Sequence, residues 1–125
     1  MLTMEMLQDA KKVLDGVARK TPVFQSTYIN PDADVYIKCE NMQVTGSFKL
    51  RGAYFKTASL TDAEAQKGVI ACSAGNHAQG VALAAQKKGI PAVICMPESA
   101  PMAKVEATRS YGAEVVLVPG VYDDA

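Results

Sequence analysis

The residues best placed to do chemistry fall in two short segments. The first is TGSFKLRGA, Thr45 to Ala53. Ser47 is a good helix N-cap, so the spacing predicts a helix from Phe48 to about Ser59 with Lys49 in its first turn. A lysine there faces the positive end of the helix dipole, which disfavours an ammonium and makes the neutral amine easier to reach. Neutral amine is the form that makes a Schiff base with a carbonyl. Arg51 pushes the same way, and Gly52 and Ala53 stand on the same side, small enough to admit something flat. The plain alternative is a surface lysine on a short amphipathic helix, with Phe48 in the core. On the residues alone both readings stand.

The second segment is SAGNHAQG, Ser73 to Gly80. It follows a β-like run and opens a helix, which is where open α/β sheets bind ligands. Gly75 frees the backbone, and the first N–H groups of the helix point outward as an anion site for a carboxylate or phosphate. Asn76 adds a side-chain donor. Phosphate-loop motifs fail, because Val81-Ala82 stand where Lys-Ser/Thr would be needed and no G-x-G-x-x-G occurs. His77 is the only histidine and has no paired cysteine or second histidine in range, so no metal site is expected. It reads as a helix-start histidine bonded to nearby backbone. Ser73 with His77 lacks a nucleophile elbow.

Regular elements must hold these segments. Leu7, Ala10, Val13, Leu14 and Val17 recur at helical spacing, predicting a helix over 4–18 that Thr21-Pro22 ends. Asp34 to Glu40 alternates like a strand, and Thr61 to Glu64 has capping-box spacing. From there GVIACS, a helix Asn76 to Lys88 closed by Gly89, AVICMP, a helix Pro101 to Tyr111 and AEVVLVP make two βαβ crossovers. The fold class is α/β, a three-layer parallel sheet with flanking helices. The sequence ends on VYDDA, where Asp123 would cap a further helix, so the sheet is expected to be cut short.

Composition narrows the classes. The 125 residues carry thirteen basic and thirteen acidic side chains, so no broad field favours nucleic acid or an acidic membrane. Glu5 and Asp9 interrupt the start, so no signal peptide is expected, and no apolar run approaches the ~20 residues of a membrane span. Cys39, Cys72 and Cys95 are odd in number and far apart, which predicts reduced, buried thiols and a soluble cytoplasmic protein.

The two segments, in this order and separated by one helix and one strand, resemble the fold type II enzymes that use pyridoxal 5'-phosphate (PLP), and among them the threonine dehydratases, with serine racemases a near relative. The resemblance extends over KTPV, KCENMQVTGSFKLRGA, GVIACSAGNHAQGVALAAQKKGI and MPESAPMAKVEATRSYGAEV. It implies a lyase that turns L-threonine or L-serine into a 2-oxo acid and ammonia, in threonine catabolism or isoleucine biosynthesis, as a homo-oligomer. Lys49 would carry PLP as a Schiff base, Phe48 would lie against its ring, and Asn76 would hydrogen-bond its phenolic oxygen. Ser73, Ala74, Gly75, Asn76 and His77 would grip the substrate carboxylate. Freed from PLP by the substrate, the Lys49 amine would remove the α-proton, with loss of the β-hydroxyl following. Serine racemases carry a second serine where Ala74 stands, which favours dehydration here. The resemblance also implies that residues 46–125 form the cofactor-side unit and that residues 1–45 would pack on a larger domain. The family's tetraglycine phosphate loop is not among these residues, so the 125-residue chain by itself is expected to be an inactive α/β domain.

Overall fold

The computed structural model describes residues 2–125. Helix α1, Met4–Val13, starts where the Thr3 hydroxyl accepts from the Met6 N–H at 3.2 Å. It stops short of the expected residue 18, because Gly16 takes a left-handed φ of 72° that a continuing helix cannot accommodate. A hairpin follows, β1 Val23–Ser26 against β2 Val35–Lys38, antiparallel with Val23 opposite Lys38. The sequence reading names no element around residue 23; the pairing with β2 makes these residues a strand. A 3-10 turn, Glu40–Met42, leads to helix α2, Lys49–Ala58, and the short helix α3, Asp62–Lys67. The Thr61–Glu64 capping box forms as its spacing predicts.

The remainder alternates strand and helix: β3 Val69–Cys72, α4 Asn76–Lys88, β4 Ala92–Pro97, α5 Met102–Ser110 and β5 Glu114–Val118. The three strands are parallel in the order β3-β4-β5, with Cys72 beside Cys95 and Cys95 beside Val116. The α/β class, the parallel sheet and its flanking helices agree with the sequence reading. Two successive right-handed crossovers in one direction place α4 and α5 on the same face. That face buries Ala92, Ile94 and Met96. On the opposite face Ile70 is 75% exposed, and Val93 and Cys95 are half-buried.

Why α4 is so poor in large side chains follows from its surroundings. It packs on the sheet, on α5 and on α2, so residues 78–85 are buried around its whole circumference. Alanines 78, 82, 84 and 85 and Gly80 allow those approaches without a bulky stripe. The apolar weight comes from neighbours: Leu50, Ile94, Met96 and Val105 are fully buried, each worth about 1.5–3 kcal/mol on removal from water. The cysteines are a correction. All three are only half-buried, Cys72 and Cys95 because they lie on the half-open sheet face.

Candidate functional site

The turn before α2 is built for the lysine. Gly46 adopts φ 70° and its N–H closes a turn onto the Gln43 carbonyl at 2.9 Å, a conformation that favours glycine. The Ser47 hydroxyl then accepts from the Lys49 N–H at 3.3 Å, the capping bond expected, although regular helix begins one residue late, at Lys49. Phe48 is not core: its ring is 59% exposed, and the Lys49 ammonium lies over it, 5.2 Å from the centroid. Two residues before Ser47, the Thr45 hydroxyl is buried without a hydrogen-bond partner among the described residues. Ala53 packs in the core, and Gly52 lines a cleft of about 320 Å³ with Lys56, Thr57 and His77, along the edge of β3. The open space at those two small residues is therefore not beside the Lys49 amine, which does not line that cleft.

The second segment forms the turn that opens α4. Ser73 is buried, and its hydroxyl accepts from the N–H groups of Gly75, at 3.3 Å, and Ala78, at 3.2 Å. Ser73 thus occupies two donors of the loop itself. The N–H groups of Ala74, Asn76 and His77 are left with no partner among the described residues. Those are three main-chain donors at a helix N-terminus, a donor set suited to a carboxylate. The Asn76 side-chain oxygen accepts from the Lys104 ammonium at 3.1 Å. His77 is exposed and its side chain makes no hydrogen bond among the described residues, so the expected bond to nearby backbone is not formed; it borders the cleft beneath α2 instead.

The two segments meet at Gly80. A Cβ on Gly80 would stand 3.2 Å from the carbonyl carbon and oxygen of Lys49 and 3.3 Å from the Leu50 nitrogen, so the first turn of α2 lies directly on α4. Gly80 is one turn beyond Asn76, about 6 Å along the helix axis. The backbone that carries the amine and the helix that offers the N–H groups are thus locked together.

From the other side the turn is held by charge. Arg51 donates to both oxygens of Glu40, at 2.9 and 2.8 Å, and to the Arg19 carbonyl. Thr21 donates to the same Glu40 carboxylate at 2.6 Å. The Gln43 side chain clasps the main chain of Arg19, accepting from its N–H and donating to its carbonyl. These bonds hold the Glu40 carboxyl at about 2 against an ordinary 4.5. The Arg51 hydrogen bonds are the largest cause and outweigh the opposing effect of burial. Arg51 is raised in turn, chiefly by its hydrogen bond to Glu40.

Glu40, Gly80 and Lys104 are the residues the sequence reading left out. Arg51 was noted for its charge, but Glu40 lies eleven residues away with no periodic pattern to link them. No helix among the described residues is long and apolar enough to cross a membrane, and no cluster there could hold a metal ion.

The chain is similar to known proteins. The family model described as "Pyridoxal-phosphate dependent enzyme" matches residues 14–125. L-threonine ammonia-lyase of Thermotoga maritima is 48% identical over all of this chain, which covers 32% of that protein. The solved structure of the processed form of threonine deaminase isoform 2 from Solanum lycopersicum superimposes with a TM-score of 0.82 at 39% identity, over 99% of this chain and 36% of that one. Maize serine racemase gives a TM-score of 0.88 at 36% identity, over 97% of this chain and 37% of that one. The chain therefore spans about a third of the length of the relatives it matches. It belongs to the pyridoxal-phosphate dependent enzymes.

Proposed function

We propose that this chain carries the cofactor lysine and the substrate-carboxylate loop of a PLP-dependent dehydratase acting on L-threonine or L-serine. The observation that supports it best is the meeting of the two segments at Gly80: an exposed amine on an aromatic ring, fixed to a helix whose first N–H groups are unpaired. The donor set fits the cofactor and an amino-acid substrate. Lys49 would hold the cofactor covalently through Nζ, with the Phe48 ring against its face and the Asn76 amide donating to its phenolic oxygen. The N–H groups of Ala74, Asn76 and His77 would bind the substrate carboxylate.

The cofactor, when bound, supplies an electron sink for the substrate α-carbon. The Lys49 Nζ, released when substrate takes its place, would take the α-proton. Ala74 brings no hydroxyl that could return a proton to the opposite face. That separates this reading from racemisation, which the likeness to maize serine racemase raises. Loss of the β-hydroxyl would then lead to a 2-oxo acid and ammonia. In the same reading residues 46–125 are the cofactor-side unit and the protein is a cytoplasmic homo-oligomer, the location resting on composition and the oligomer on the resemblance alone.

The test is to mix the chain with PLP, reduce with borohydride and map the pyridoxyl label by mass spectrometry. Label concentrated on Lys49 and lost in Lys49→Ala is the expected result. Label spread over Lys11, Lys38, Lys56 and the other lysines would overturn the assignment of Lys49.

A further inference from the structure

Lys104 belongs to α5, in neither of the two segments, yet its ammonium donates to the side-chain oxygen of Asn76 at 3.1 Å. A lysine has three donors and no acceptor, so only the oxygen of the amide can face it. The polarity of the Asn76 amide is thereby decided: the oxygen is taken, and the NH₂ group is what remains for a ligand. Without Lys104 the amide could turn over and offer either end.

Lys104 is itself well anchored. Its N–H donates to the Pro101 carbonyl at 2.8 Å, and its carbonyl accepts from the Thr108 hydroxyl at 2.8 Å. Thr108 and the neighbouring Val105 are fully buried, so the first turn of α5 is fixed to the core. The anchoring passes from the buried Val105 and Thr108 of α5 through the Lys104 stem to the mouth of α4. The ammonium also adds a positive charge beside the unpaired N–H groups of that helix, with the same sign as its dipole.

We infer that Lys104 is a positioning residue that commits Asn76 to donating a hydrogen bond, so that the site selects an anionic oxygen beside the Lys49-bound group. This rests on the proposed function, since it is PLP that would present such an oxygen. A hydrogen bond to a charged acceptor, lost or left to chance, corresponds to about a tenfold change in dissociation constant.

The experiment compares the chain with Lys104→Met, which keeps the stem and removes the donors, and Lys104→Arg, which keeps them. PLP affinity is measured by fluorescence titration, thermal stability by calorimetry, and the Asn76 side-chain NH₂ resonances by NMR without cofactor. The expected result is about tenfold weaker PLP binding in Lys104→Met, recovery in Lys104→Arg and an unchanged melting temperature. In the cofactor-free protein the Asn76 NH₂ signals should move in Lys104→Met and return in Lys104→Arg. Unmoved Asn76 signals would overturn the inference whether or not PLP binds. Moved signals with wild-type affinity in Lys104→Met would also overturn it. A wild-type chain that shows the NMR response but puts no label on Lys49 would instead refute the cofactor reading and leave the Lys104 contact standing.

Discussion

Gly80 of α4 lies against the Lys49 carbonyl so closely that a methyl group there would stand 3.2 Å from its carbon and oxygen. The contact is main chain to main chain, so it cannot be relieved by a side-chain rotation. Gly80→Ala sets two effects against each other. Alanine gains about 1 kcal/mol of helix propensity over glycine, whereas overpacking a rigid contact costs about 1–3 kcal/mol. We expect a modest net fall in melting temperature, with a larger fall in borohydride-trapped PLP at Lys49, because the displaced atoms carry that side chain. Unchanged label yield with lowered stability would mean that the contact serves packing alone.

The Glu40–Arg51 pair predicts a defined pH dependence. The folded-state pKa of Glu40 lies below its ordinary value, so the contribution is fully present above about 4.5 and is lost as pH falls towards about 2. Glu40→Gln should therefore be less stable than the parent at neutral pH, with the gap closing between about 4.5 and 2. Denaturant melts at a series of pH values measure it. A gap that persists unchanged at pH 2 would show that packing, not the charge, carries the difference.

Much of this arrangement is legible in the sequence because it rests on local signals. Ser47 and Gly46 announce a turn, Gly89 and Gly112 end helices, and GVIACS, AVICMP and AEVVLVP are too regular to mistake. Lys49 stands out because its position is wrong for a helix. What was not legible depends on tertiary contact. Phe48 looks like core and is exposed, and Ala53 looks like the floor of a site and is core, because the rotation of α2 about its axis is set by Gly80 and Leu50, not by its own pattern. Cys72 and Cys95 look buried because they sit in apolar strands, but both crossover helices cover the other face. The Lys104–Asn76 and Glu40–Arg51 bonds join residues with no shared period, and only the packed chain brings them together.

The two faces of the sheet give a contrast within paired strands. Ile94 is fully buried under α4 and α5, whereas Ile70 of β3 is 75% exposed on the opposite face. Ile94→Ala should cost about 2–5 kcal/mol, transfer and cavity together. Ile70→Ala should stay within about 1 kcal/mol, reflecting chiefly lost strand preference. Urea denaturation of the two variants measures both. Equal losses would mean that Ile70 is covered in solution, for example by self-association through that face.

Ser73 makes the sharpest prediction for the loop of the proposed function, because its hydroxyl already accepts from two N–H groups of the protein. It accepts from Gly75 and from Ala78, and Ala78 is fully buried, so nothing else can satisfy that N–H when the hydroxyl is removed. Ser73→Ala should destabilise the chain by about 1–2 kcal/mol, as loss of an N-cap does, and Ser73→Thr should recover part of it by restoring the oxygen. Under the proposed function the same substitution would free the Gly75 N–H to compete for the substrate carboxylate and loosen the turn that holds the other three N–H groups. Amide hydrogen exchange at Ala78 should therefore accelerate in Ser73→Ala, at the start of α4 first. Exchange and stability both unchanged would mean that the hydroxyl is free to touch the substrate, and that Ser73 belongs to the binding contacts.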